Sequence, residues 1–283
     1  MTVHSTILQL KGMLDMALAD YLPSNPESRV ARELARACRR YIHRFNGYSY
    51  DFIEGGEQNV MQRLSLFRFQ TVFDVGANVG KWSALAKTYF PNATFHTFEI
   101  SNATFKTLKG NLAGPEFKNN NFGLSSDKTD ISYKDYGSGS GLNSIIQLAS
   151  VHDKNAPHEM RTARVETGDG YCLDHSVGFV DFLKVDVEGA EHLVLQGFHE
   201  MLKKNAIRAV QFEYGYNNGD SRFLMRDFFS FFDLYGYCVA RIRKRKIQFT
   251  GFSYSMNDFE SGPNYLAVRK DDHQVLDALT RPS

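Results

Sequence analysis

The stretch that most constrains this chain is Thr71 to Trp82, TVFDVGANVGKW, taken together with Glu99 downstream. Val72, Phe73 and Val75 give a short run the β-branched and aromatic character of a buried strand. The chain then breaks into small residues at Gly76, Ala77 and Gly80 and resumes with helical spacing at Trp82, Leu85, Ala86 and Tyr89. A strand, a tight turn and a helix with outward-facing first N–H groups therefore follow one another. Glycine in such a turn permits close approach of backbone to ligand.

Thr94 to Ile100, TFHTFEI, reads as a second apolar strand with Glu99 near its end. In a nucleoside-binding βαβ unit, a carboxylate about twenty residues past the glycine turn accepts hydrogen bonds from ribose hydroxyls. GANVG has two glycines and lacks the third that admits a pyrophosphate. With Asp74 just before it, the turn suits a cofactor carrying ribose and an amino acid better than one carrying phosphates. The cofactor candidates here are Asp74, Gly76, Ala77, Asn78, Gly80, Glu99 and Ile100.

The second informative block is Val180 to Gly197, VDFLKVDVEGAEHLVLQG. Phe182, Leu183 and Val185 read as the fourth strand, and Asp186 falls at its carboxyl end, where an open α/β sheet places its ligand crevice. Ala209 to Gly215 reads as a fifth strand that brings Glu213 to the same crevice. Asp186 is the first candidate for a general base and Glu213 the second, with Asp186 also bordering the cofactor. The pair could alternatively bind a hard cation such as magnesium; a metal-free site is the preferred reading. Glu188 and Glu191 either join the site or cap the following helix, whose N-terminus favours acids. His192 acts as a base only if its helix turns it inward, the alternative being a surface histidine.

Around these blocks the pattern predicts an amphipathic helix over 7–21, a second over 28–45, an aromatic loop over 46–56 and a helix from about Glu57 to Phe67. The 28–45 helix would turn Val30, Leu34, Ala37, Cys38, Tyr41 and Phe45 inward and six arginines outward. Residues 1–56 form an N-terminal helical extension, a cap or a dimerisation element, and 57–283 the α/β domain. Asn120 to Ser125 reads as a third strand that puts Gly123 and Leu124 beside the adenine side of the pocket. Asp130 to Tyr136 alternates like an edge strand, and Gly137 to Ile145 is either a mobile loop over the substrate or a surface turn. Asp169 would brace the next strand's end. Arg222 to Tyr235 reads as a helix, Tyr237 to Ile242 as a sixth strand and Asn264 to Arg269 as the last. Arg243 to Lys246, RKRK, is a hairpin end or a dock for an anionic group, and a short helix follows Asp271.

A net charge of +1 over 283 residues calls for neither nucleic acid nor an anionic membrane, so local patches must carry any such claim. Cys38, Cys172 and Cys238 lie far apart without a CxxC, which reads as small core residues in a reducing compartment. No run is long enough to span a membrane, and the start lacks a signal-peptide pattern; the expected location is cytoplasmic.

With FDVGANVG and FEI early and LKVDVEGAE with VLQG later, the chain resembles FkbM-type S-adenosylmethionine-dependent methyltransferases from roughly Phe73 to Lys270. The resemblance implies a Rossmann-like, seven-stranded class I methyltransferase sheet with its final strand antiparallel. It also implies methyl transfer, mostly to oxygen, on hydroxyls of sugars and of secondary metabolites. Asp169 falls where that family carries an acid, whereas TGDGYC departs from the family's more usual Leu-Asp pair. The expected function is O-methylation of a small-molecule or glycan acceptor. N-methylation, protein or peptide methylation, and a catalytically silent nucleoside-binding scaffold stand as alternatives.

Overall fold

The computed structural model describes residues 20, 23–140, 143, 144, 146, 157–259 and 262–281. The predicted 7–21 helix lies almost wholly outside the described residues, as do positions 141, 142 and 145 of the glycine–serine stretch. The chain divides into two compact units, 1–46 and 47–283. In the first, a helix spans Arg29–Asn46, and none of its residues is buried. The face expected to turn inward is instead exposed at Val30, Leu34, Tyr41 and Phe45, and Cys38 is exposed with it. Periodicity identifies an apolar side without saying what covers it. The loop of residues 47–56 belongs to the second unit, where Phe52 packs on the core and Lys244 pairs with Glu54.

The second unit contains β1 (Thr71–Val75), β2 (Thr94–Phe98), β3 (Phe117–Asn120), β4 (Gly123–Leu124), β5 (Thr129–Asp135) and β6 (Glu159–Glu166). β7 (Val180–Val185), β8 (Ile207–Glu213), β9 (Tyr237–Arg243), β10 (Lys246–Phe249) and β11 (Asn264–Arg269) complete the set. Eight strands form one sheet in the order β10-β9-β11-β8-β7-β1-β2-β3. The stretch from β3 to β8 is parallel, and β11 runs antiparallel to both β8 and β9. The sheet is the expected Rossmann-like α/β one with its last strand reversed. Its eighth strand arises because Lys246–Phe249 folds back on β9, which makes RKRK the end of a hairpin.

One predicted strand splits. Phe117–Asn120 is the third strand of the main sheet, while Gly123 and Leu124 leave it and pair with β6. The turn between them is held by side chains. Asn120 Nδ2 donates to the Thr97 carbonyl at 3.1 Å and Asn121 Nδ2 to the Glu99 carbonyl at 2.9 Å. The alternating segment after it also leaves the main sheet, since β5 pairs antiparallel with β6 in a small sheet of order β4-β6-β5.

Alternation along the strands sends Val72, Phe95, Phe182, Ala209 and Leu266 to one face, with Trp82, Val60 and Val275 of the helices Lys81–Tyr89, Glu57–Leu64 and His273–Thr280. Phe73, Val75, Leu183, Val185 and Phe212 face the other way, against Leu195, Leu202 and Phe228. From β1 the chain walks outward to β2 and β3 through helices, then returns to the other side of β1 as β7 and β8. Such a reversal opens a crevice at the carboxyl ends of the two central strands.

Gly76 sits at that reversal with φ +82°, and a Cβ there would lie 1.8 Å from the Asp186 carbonyl oxygen. The close approach that glycine permits is therefore to the neighbouring strand. Gly76→Ala should lower unfolding free energy by roughly 2–4 kcal/mol in a urea titration, from overpacking plus left-handed strain. Gly178→Ala, with nothing within 4 Å of its Cβ position, should shift it by no more than about 0.5 kcal/mol. Equal effects would contradict this reading.

A candidate active site at the strand reversal

Strand register builds the floor of the site. Asp74 on β1 pairs with Lys184 on β7, which pairs in turn with Gln211 on β8, so three polar residues cross the sheet in one row. All three are buried. Lys184 Nζ lies 3.0 Å from Asp186 Oδ2 and 3.4 Å from Asp74 Oδ1, and 5.6 Å from the centre of the Trp82 ring. Ser83 Oγ donates to Asp74 Oδ2 at 2.6 Å. Glu57 accepts from Gln211 Nε2 and, at 3.1 Å, from Asn264 Nδ2. Burial disfavours the charge on Lys184, but Asp186, Asp74 and Glu57 outweigh it and hold the ammonium firmly protonated.

Asp186 and Glu213 each follow the Val185–Phe212 register pair by one residue, which sets them side by side at the carboxyl ends of β7 and β8. One carboxylate oxygen from each of Asp186, Glu188 and Glu213 lies within 4.8 Å of the others. Glu188 adopts φ +56°, and its side chain accepts from Asn217 Nδ2 at 2.7 Å. The three acids differ electrostatically. Burial works against charge on Asp186, yet the Lys184 ammonium overcomes it and holds that carboxyl below its usual range. Burial and then the Asp186 charge push Glu188 and Glu213 well above theirs. The cluster therefore keeps a fixed negative charge on Asp186 and groups that readily hold a proton beside it. Three such oxygens are also chemically suited to a hard divalent cation.

Glu191 faces its own turn. Its Oε1 accepts from the Val187 and Gly189 N–H groups at 3.0 and 3.1 Å, and its Oε2 from Asn218 Nδ2 at 3.2 Å. It caps the turn before the helix Glu191–Gln196, and burial raises it to about 7. His192 stacks on the Phe223 ring with centroids 4.8 Å apart. Asp169 accepts from the Glu200 and Met201 N–H groups, bracing the helix His199–Lys203.

Across the reversal, Gly76 and Ala77 both donate to the Phe98 carbonyl at 3.0 Å. Asn78, at φ +49°, donates its N–H to Glu99 Oε2 at 3.0 Å, and Ser101 N–H donates to Glu99 Oε1 at 2.8 Å. Glu99 is buried, which raises it to about 7. Gly80, at φ +83°, caps the helix Lys81–Tyr89 against Leu112. Gly123 lies under Ile100, whose Cγ2 is 2.7 Å from the Gly123 Cβ position, and Leu124 is buried beside them. The described part of the glycine–serine stretch ties these two halves together. Asn78 Nδ2 donates to the Ser140 carbonyl at 3.3 Å, and Ser144 Oγ to the Glu188 carbonyl at 2.7 Å.

The floor residues Lys184, Glu57, Gln211 and Asn264 were not anticipated. A lysine inside an apolar strand, VDFLKV, was the available signal, since a buried ammonium requires carboxylates around it. An open cavity of about 630 Å³ lined by Cys172, Val177, Phe179, Met201 and Ala206 lies at the opposite ends of β7 and β8 and holds none of the acid cluster.

A doubly wound sheet with an acid-gripped turn at its reversal defines a Rossmann-like fold. The chain belongs to the FkbM methyltransferase family: the model of the methyltransferase FkbM domain matches residues 74–239, more than half of its length. Methyltransferase 1 of Beauveria bassiana is 28% identical over 149 residues, covering 46% of this chain and 58% of that protein. Methyltransferase FkbM from Methylobacillus flagellatus KT is 14% identical with a TM-score of 0.45, covering 71% of this chain and 44% of that one. The O-methyltransferase TomG from Streptomyces achromogenes, solved with S-adenosylmethionine, is 10% identical with a TM-score of 0.42, covering 78% and 81%. The chain thus spans less than two thirds of the first two relatives.

Glu191 binds its proton more tightly folded than unfolded, so the stability it contributes is present below its unfolded pKa and lost as pH rises through about 7. Glu191→Gln keeps an acceptor oxygen for the Val187 and Gly189 N–H groups, replaces the acceptor facing Asn218 by an amide at a cost that does not vary with pH, and removes the titration. Its stability relative to the wild type should therefore rise between about pH 5 and 8 in parallel urea titrations. A constant difference would contradict the assignment.

Proposed function

We propose that the chain is an S-adenosylmethionine-dependent O-methyltransferase acting on a hydroxyl of a sugar, glycoside or secondary metabolite. Family membership supports the donor, and the paired carboxylates of Asp186 and Glu213 at the strand reversal carry the oxygen reading. A hydroxyl must lose a proton as it is methylated, and Glu213, which burial and the neighbouring Asp186 charge make a stronger base than an ordinary carboxylate, receives it when in its ionised form.

The residues of the opposite half fit an adenosine-bearing donor. Glu99 spends one acceptor position of each oxygen on a backbone N–H, leaving the others for ribose hydroxyls. The Asn78 amide oxygen is buried without a hydrogen-bond partner, an acceptor suited to the amino-acid end or a ribose hydroxyl. Ile100, Gly123 and Leu124 supply apolar contact for a base, and the acid Glu99 disfavours a pyrophosphate. When bound, the donor offers an electrophilic methyl carbon whose leaving group is a neutral thioether.

In this reading Glu213 takes the hydroxyl proton while Asp186, kept ionised by Lys184, orients the acceptor and stabilises positive charge across the crevice. Lys184 is a positioning residue that acts through Asp186. Glu213→Gln should lower kcat by roughly 10²–10⁴-fold in a labelled-methyl transfer assay while donor affinity stays within about threefold. Lys184→Met should move the pH–rate limb upward, because the carboxylate pair loses its cation, and Lys184→Arg should leave it near the wild type. Full activity of both Glu213→Gln and Asp186→Asn would end the base assignment. Transfer abolished by chelator and restored by magnesium would assign the acids to a cation instead. Exclusive transfer to amines would favour N-methylation.

A further inference from the structure

The helix Arg29–Asn46, RVARELARACRRYIHRFN, is 18 residues long, about 27 Å, and sorts its residues by face with few exceptions. Val30, Leu34, Tyr41 and Ile42 lie on one side, together with Phe45 and small residues. Arg29, Arg32, Arg36, Arg39, Arg40 and Arg44 lie on the other, and Glu33 is the helix's only acid. Among the described residues the apolar side is exposed: Val30 is 64% exposed, Leu34 49%, Tyr41 69% and Ile42 44%. All six arginines are exposed as well. Arg36 meets Glu33 at 2.6 Å and Arg32 meets Glu27 at 3.0 Å, and six arginines against one acid make the helix's own sequence strongly positive.

An apolar stripe flanked by guanidinium groups restricts what can cover it. A second copy laid face to face would cover the apolar side and leave both sets of arginines, on the far sides, without an opposite charge. An acidic protein surface or a nucleic acid would answer the charge and leave Leu34, Tyr41 and Ile42 wet. A bilayer with anionic headgroups answers both, because the acyl boundary takes the apolar side and lipid phosphates take the guanidinium groups. We propose that the helix Arg29–Asn46 docks in the plane of an anionic lipid surface. No helix among the described residues is long and apolar enough to cross a membrane, so the mode is interfacial. The proposal is independent of the methyl-transfer reading.

The test is co-sedimentation of the full chain with vesicles of phosphatidylcholine alone and with phosphatidylglycerol added. Partitioning should be at least about tenfold stronger on the anionic vesicles and should fall as salt rises from about 0.1 to about 1 M. Leu34→Glu with Ile42→Glu should abolish it. Arg40→Glu with Arg44→Glu should remove the anionic preference, and both variants should keep the wild-type thermal transition of the sheet domain. No association with either vesicle, equal association with both, or wild-type binding by the Leu34→Glu, Ile42→Glu variant would overturn the proposal. So would a wild-type dimer that this variant converts to a monomer, which would assign the face to a second copy.

Discussion

A single buried ammonium organises the centre of this sheet. β7 is buried along its whole length, and Lys184 can occupy it because Asp74 on β1 and Asp186 at its own end supply opposite charge within 3.4 Å. Removing one partner from such a buried group costs about 3–5 kcal/mol, so the interaction fixes how β1 and β7 meet at the point where the chain reverses. Glu57 and Gln211 extend the network toward β8, and Asn264 extends it to β11. The same cation that holds the strands sets the charge on Asp186, so the floor of the crevice is electrostatically prepared before any ligand arrives.

Both rims of the crevice use one device. On one side Glu99 accepts the N–H groups of Asn78 and Ser101; on the other Glu191 accepts those of Val187 and Gly189. Each acid holds a turn that contains a left-handed non-glycine residue, Asn78 at φ +49° and Glu188 at φ +56°. Such backbone persists only where its surroundings over-determine it. Gly76, packed against the Asp186 carbonyl, brings the two turns together, and the contacts of Ser140 and Ser144 bridge them from above. Glu191 spends its acceptors on its own turn and Asn218, whereas Asp186 accepts from Lys184 and lies with Glu213 and Glu188 in the acid cluster.

Much of this was legible in the chain because period-2 alternation and a glycine turn are local signals. TVFDVGANVG and the acid at Glu99 gave the first βα unit, and β11 falls on the predicted Asn264–Arg269. What stayed hidden depends on register between distant strands. Asp74 looked like part of the turn, but pairing with Lys184 makes it part of the floor. Gly123 and Leu124 carried strand composition and no indication of which sheet they join. Glu188 and Glu191 read alike as acids near a helix start, and only the fold separates the one at the acid cluster from the one capping its own turn. The Arg29–Asn46 helix revealed its two faces but not its surroundings.

The most direct measurement is a crystal structure of the chain with S-adenosylhomocysteine, the demethylated form of the donor. The account predicts ribose hydroxyls on Glu99, the base against Ile100 and Leu124, and the sulfur turned toward Asp186 and Glu213. A nucleoside bound elsewhere, or a crevice that stays closed by its own side chains at saturating ligand, would contradict it.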